Sequence, residues 1–248
     1  MTISVGVRAG TRPAGAAASA QQDRRFFMTM ALVILAVVFV GFAPTYYLRG
    51  MYHAEPLHSV FRVHGAIFSI WVLLFIAQTT LVSLKRTDIH RRLGLVALAL
   101  VPVMLVVGYM AALTAARRGF SVPGLPPPLV FLAVPLFDLP VFACLVGPAL
   151  YFRKQPAIHK RLMLLAMISI LPAAIARLPH LLPFGPLAFF GLADLLIVAC
   201  MVYDWFTRGR VSPAFLWGGL FVIASQPLRL MVGGTSAWIA FAQWLTAG

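Results

Sequence analysis

The sequence predicts an all-α, polytopic transmembrane helix bundle of seven spans, and three observations carry that prediction. Hydrophobic residues make up 61% of the 248-residue chain and charged residues only 10%, with a mean hydropathy of +0.93, a balance foreign to ordinary soluble domains. Seven apolar runs are each long enough to cross hydrocarbon at roughly 20 residues per crossing. The polar breaks between them alternate between strongly and weakly basic, as cytoplasmic and outer loops do.

Residues 1–25 read as a disordered cytoplasmic tail, small-sided and polar, with Arg8 and Arg12 but too few large apolar side chains to bury a core. The first run, 26–48, begins too late for a signal peptide and makes a first span. Runs 60–84, 93–116, 128–152, 158–178, 186–206 and 214–232 make six more, so the membrane domain covers 26–232. Residues 233–248 follow a Gly-Gly-Thr-Ser break, are too short to span, and with Trp238 and Trp244 read as an interfacial C-terminal tail. Asp88 is predicted to cap a helix starting at Ile89, Pro156 to occupy a first turn where its missing N–H costs nothing, and Pro172 to kink the fifth span. Pro123, Pro126, Pro127 and Pro128 predict a stiff extended loop on the outer side.

Orientation follows from charge. A cytoplasmic N-terminus puts fourteen of the twenty Lys and Arg residues on one side, leaves Arg49, Arg117 and Arg118 in the other side's loops, and leaves Arg62, Arg177 and Arg229 within or at the edges of runs. The C-terminus is then periplasmic, in a bacterial inner membrane. The formal charge of +14 is spread through loops rather than gathered on one face, which argues for a lipid bilayer and against nucleic acid as partner. Cys144 and Cys200 lie inside apolar runs and form no disulfide or metal motif, so they read as packing residues.

One pentapeptide occurs twice. Ile89-His90-Arg91-Arg92-Leu93 returns as Ile158-His159-Lys160-Arg161-Leu162, and the same offset brings Lys85 onto Lys154, Leu81 onto Leu150 and Ala97 onto Ala166. An internal repeat produces such a match, and so do two basic loops that each open a helix.

Ionisable groups inside hydrocarbon cost about 2.5–3.5 kcal/mol each on insertion scales, so those in the runs are informative. Asp138 falls in the middle of the fourth span, Asp194 in the outer half of the sixth, Arg229 and Gln226 in the outer half of the seventh, and Arg62 and Arg177 near outer ends. They are expected to compensate one another, either as ion pairs that lock the bundle or as the wall of a polar cavity open to the outer face. At about 100° per residue, His64, Phe68, Trp71, Phe75 and Gln78 share one stripe of the second span, and His159, Ala166, Ile170, Ala173 and Arg177 one stripe of the fifth.

The histidines fall at two depths: His64 and His180 at the outer level, His90 and His159 at inner helix starts. Imidazoles approaching from facing helices suit axial ligation of a b-type haem, for which Arg62 and Arg177 would meet propionates. The outer pair is the stronger expectation, because a first-turn histidine also fits a headgroup-level polar residue. His53, Glu55 and His58 crowd one outer loop, but Pro56 prevents a helical metal-binding spacing and a solvated loop is expected. Gly-rich phosphate loops, nucleophile elbows and carboxylates at hydrolase spacing are absent from the sequence.

Val63-His64-Gly65, Trp71, Leu74, Phe75 and Gln78, followed by His90-Arg91-Arg92-Leu93-Gly94, resemble a family of uncharacterised bacterial polytopic membrane proteins with a His-Gly helix, a glutamine near its end and a His-Arg-x-Leu-Gly motif. The likeness covers 60–178 and implies an inner-membrane helix bundle, with no catalytic role to carry over. The four histidines alone resemble diheme b-type membrane cytochromes, from which the chain departs by placing its inner pair at helix starts. The resulting expectation is a membrane protein with a polar, histidine-containing cavity, acting as a haem-b redox or electron-transfer component with a small hydrophobic or redox partner. The alternatives are a non-redox protein that binds or transports a small solute, and a structural or assembly subunit.

Overall fold

The computed structural model describes residues 14–120 and 124–247; the start of the expected tail, and Pro123 of the outer loop, lie outside them. Among the described residues the chain is helical without strands, and seven helices are long and apolar enough to cross a membrane.

Helix α1 (Ala14–Phe42) begins well upstream of the first apolar run. Residues 14–25, read from the sequence as tail, are therefore helical where described: the segment is rich in alanine, the strongest helix former, and Asp23 in it has partners on two other helices. Past Phe42 the helix widens into a π-helical turn, Ala43–Tyr47, containing Pro44, whose missing N–H relaxes the regular ladder. Helix α2 (Ser59–Ser83) is capped by the ring of His58, which accepts from the Val60 amide at 3.4 Å. Helix α3 (Thr87–Arg117) starts two residues before the expected point, with Asp88 inside its first turn rather than at the cap. There the carboxylate favours the positive helix end and stands 3.5 Å from Arg86.

The fourth span is a short α4 (Pro128–Phe131) leading into α5 (Ala133–Tyr151). The fifth is split as Pro172 predicts: α6 (Pro156–Ser169) stops, and α7 (Pro172–Ile175) restarts on the proline. Helix α8 (Gly185–Arg208) ends on Gly209, whose φ of 68° is a left-handed cap that glycine adopts without strain. Ser212 caps α9 (Pro213–Gly233), and Thr235 caps α10 (Ser236–Thr246). The last helix is docked rather than loose, since the Trp238 indole donates to the Leu129 carbonyl at 2.8 Å.

The fifth span is the hub. In it 61% of the most apolar window is buried, against 22–39% in the other six, because α1, α5, α8 and α9 all pack on α6. Leu164, Leu165, Ala166, Met167, Ile168 and Ser169 are consecutive and all buried. A helix apolar all round belongs in such a centre. The outer helices turn large side chains such as Leu73, Leu95, Phe206 and Trp217 outward, the surface of a protein that sits in hydrocarbon.

Candidate functional site

The two copies of the pentapeptide meet at one end of the bundle. His90, in the first turn of α3, and His159, in the first turn of α6, place their ring centroids 6.3 Å apart with planes at 82°. The Nδ1 of His159 lies 2.8 Å from the Ala149 carbonyl of α5. Only an N–H can face a carbonyl at that distance, so the proton sits on Nδ1 and the Nε2 lone pair is left available. The ring of His90 lies against the backbone of Gln78 at the end of α2, and its own Nδ1 is buried with no hydrogen-bond partner among the described residues.

Beside this pair runs an ionic network that sequence reasoning missed. Arg161 is 2% exposed and Asp204 fully buried. The guanidinium grips the carboxylate with both prongs, Nε to Oδ2 at 2.8 Å and Nη2 to Oδ1 at 2.6 Å, while Nη1 donates to the Ala157 carbonyl at 2.7 Å. Asp204 also accepts from Arg208 Nη1 at 2.8 Å and from the Ser212 amide at 3.1 Å. Arg208 reaches on to Asp23 of α1, which is held in addition by Lys160 and by the Tyr203 hydroxyl at 2.6 Å. Four helices are thus tied at one end, and nearly every acceptor lone pair is used, the condition under which buried charge is tolerable. The chain has only six acidic residues. An Asp four residues before an Arg at a helix end, as Asp204 is before Arg208, was the available signal.

At the other end the structure sorts the expected charge cluster into couples. Arg229 pairs with Asp138 of α5 and donates to Ser225 at 2.8 Å, stacking its guanidinium 5.6 Å over the Phe190 ring. Gln226 donates to Asp194 of α8 at 2.7 Å. Arg177 and Arg62 join neither couple. Past the Pro172 break, Arg177 is exposed, lies over the Phe42 ring at 4.8 Å and donates to the Ala173 carbonyl at 2.6 Å. Arg62 is exposed and its carbonyl accepts from Tyr46 at 2.9 Å. The fivefold convergence expected from sequence is corrected to two couples, because a helix that ends at Ile175 carries Arg177 into a turn.

The outer histidines are not presented alike. His64 stacks on Phe68 of its own helix at 4.2 Å, while His180 is exposed in a turn with a φ of 64°. The imidazoles that face one another are the inner ones. Along α2 the sequence-derived stripe is nonetheless distinctive: His64 Nδ1, Trp71 Nε1 and Gln78 Oε1 are all buried without a partner among the described residues. The adjoining Gly65 is explained by packing, since a Cβ there would sit 2.2 Å from the Tyr46 ring, and a Cβ on Gly94 of the His-Arg-x-Leu-Gly motif would lie 3.8 Å from the Gln78 Nε2, in ordinary contact.

No group of three or more His, Cys, Asp or Glu residues able to hold a metal occurs among the described residues. At this end of the bundle two imidazoles from different helices stand close together, one hydrogen-bonded to a backbone carbonyl and the other lying against backbone; a hydrogen bond of the first kind is what orients a metal-ligating histidine. No family model, curated protein or solved structure matches the chain.

Proposed function

We propose that this integral membrane protein is an electron-transfer component of the bacterial inner membrane that holds a b-type haem between His90 and His159. The observation that carries the reading is the facing pair. Two metal–imidazole bonds of about 2 Å set ring centres roughly 6 Å apart, and the two rings stand at 6.3 Å. Two protein nitrogens would suffice to hold a haem. Bound there, the group would supply one-electron chemistry; the protein's part would be to fix both imidazoles, against Ala149 and Gln78, and the exposed Arg91, next to His90, would be available to propionate charge. The flanking basic residues favour a cytoplasmic placement for this end and for the N-terminus.

The test is the absorption spectrum of protein purified from cells given ample haem. The reduced-minus-oxidised haem signal should be present in wild type, lost in His90→Ala and His159→Ala, and intact in His64→Ala and His180→Ala. A colourless wild type, or a signal that survives both inner substitutions, overturns the reading. Reporter fusions after Arg210 and at Gly248 test the orientation: the first should read cytoplasmic, the second periplasmic. A second reading, binding of a small solute in the outer half, is favoured by Arg229, whose Nε is buried without a partner among the described residues. A solute-dependent rise in melting temperature that Arg229→Gln abolishes is its signature.

A further inference from the structure

We infer that the crevice between the end of α3, the start of α4 and α10 is a binding site for a phospholipid of the bilayer, with an acyl chain along the crevice and the phosphate on the Arg117 guanidinium. The site lies at the end of the bundle opposite the histidine pair and does not depend on haem being bound there.

Three observations lead to it. The first is room. A crevice of about 580 Å³ opens there, within the roughly 300–1,000 Å³ of small-molecule sites. Ile239 and Thr246, near the two ends of α10, both line it, so it follows that helix for two turns, about 10.5 Å. The second is the chemistry of the walls. Ala116, Leu129, Val130 and Ile239 present aliphatic side chains, and Pro127 and Pro128 have no N–H to offer. Neighbouring polar groups are already engaged: the Leu129 carbonyl accepts from the Trp238 indole, and the Thr246 hydroxyl donates to the Ala242 carbonyl, each at 2.8 Å. Such walls take a hydrocarbon chain and disfavour a polar solute, whose hydrogen bonds to water would go unreplaced.

The third is the one charge. Arg117 lines the crevice and is exposed. Its Nη2 donates to the Leu245 carbonyl at 3.3 Å, which leaves most of the guanidinium donors free. Among the described residues no carboxylate lines the crevice and Arg117 carries no ion pair.

The ligand class follows from this set: one anionic group at the head of an aliphatic chain. Position supplies the source. Arg117 sits in the last turn of a helix long and apolar enough to span, and the exposed Trp244 of α10 belongs at the same headgroup level. Phosphate oxygens match the guanidinium fork. A diacylglycerol brings the chain but nothing for Arg117; a free phosphate ester brings the charge but nothing for the walls.

The test titrates dioleoyl phosphatidylglycerol into delipidated, detergent-purified full-length protein and counts bound lipid by native mass spectrometry, with dioleoylglycerol as the headless control and glycerol 3-phosphate as the tailless one. Wild type should bind the phospholipid saturably and each control at least tenfold more weakly. Arg117→Gln should weaken the phospholipid about tenfold, the worth of one charge-assisted hydrogen bond, and Arg117→Lys, which keeps the charge, should retain most of the affinity. Ile239→Phe, which fills the crevice and leaves Arg117 in place, should block binding and abolish the rise in melting temperature that the lipid gives wild type. Equal affinity for the phospholipid and dioleoylglycerol overturns the assignment, as does displacement by glycerol 3-phosphate at equal concentration, which would mark an anion site alone. So does undiminished binding in both Arg117→Gln and Ile239→Phe, or no saturable binding to wild type. The haem spectrum recorded on the same samples separates the two sites: loss of lipid binding with an intact spectrum bears on this inference alone.

Discussion

The pentapeptide at the start of α3 and its counterpart at the start of α6 are nearly the same string with opposite fates. In the first, Arg91 and Arg92 are exposed and carry no ion pair among the described residues. In the second, Arg161 is 2% exposed and bound on both prongs to a buried Asp204, and Lys160 is held by Asp23 over the Phe27 ring. The histidines of the two copies meet, but their basic residues do different jobs. The difference lies in the partners: α6 runs through the centre of the bundle, where α1 and α8 bring the acids, while α3 runs along its edge. A short basic motif fixes depth in the membrane; the neighbouring helices decide whether its charges are solvated or buried.

The sharpest way to break this comparison is to remove Asp204. Asp204→Ala leaves Arg161 charged and unpaired in the interior and should cost about 3–5 kcal/mol, read as a large loss of melting temperature in detergent. Replacing both partners by apolar residues of similar size should cost less than either single change, since desolvation no longer needs compensating. At the matching position of the first copy, Arg92→Ala should stay within about 0.5 kcal/mol of wild type. Equal losses at the two positions would mean that the copies are equivalent after all.

The couples at the opposite end of the bundle extend the test. Asp138→Asn and Arg229→Gln, measured singly and together, should show a coupling of about 1–3 kcal/mol, whereas Asp138→Asn combined with Arg177→Gln should be additive. Strict additivity in the first cycle would remove the pair as a stabilising feature.

What was legible in the sequence follows the same division. Hydropathy marked all seven spans, because a membrane demands length and apolarity from each segment separately. Breaks at Pro172 and the first-turn position of Pro156 were equally local. Asp138, Asp194, Gln226 and Arg229 stood out because each interrupts an apolar run. The tie between Asp204 and Arg161 was not legible: both lie at helix ends, where charge is cheap, and only the packing of α6 against α8 and α9 makes that end an interior. The pairing of His90 with His159 was legible as a matched depth at two helix starts, but not that this pair, rather than His64 and His180, would bring its rings together. Their neighbours in sequence favoured headgroup residues, and the contact depends on how α3 and α6 approach across α5.

Between these extremes lies Asp23. It ties the early turns of α1 to Lys160 and Arg208, with side chains 16%, 30% and 27% exposed, so water screens the interaction in part. Asp23→Asn should cost about 1 kcal/mol, with a loss that shrinks as salt is raised. It should also loosen the start of α1, seen as faster amide hydrogen exchange there than in α6. A salt-independent loss as large as that of Asp204→Ala would place Asp23 in the interior instead.

The smallest expected effect is the most direct test of whether the strings or their surroundings matter. Lys160→Arg turns the second copy into the first, residue for residue. Arginine keeps the charge, can still pair with Asp23, and stacks on an aromatic face at least as well as lysine does over Phe27. It is bulkier, but Lys160 is only partly buried, so the added volume has somewhere to go. The melting temperature should therefore move by the equivalent of no more than about 0.5 kcal/mol. The reverse exchange, Arg91→Lys in the exposed copy, should be equally quiet. If Lys160→Arg instead destabilised the bundle as strongly as the loss of Asp204, the lysine at that one differing position would be what separates the copies, and the explanation from neighbouring helices would fail.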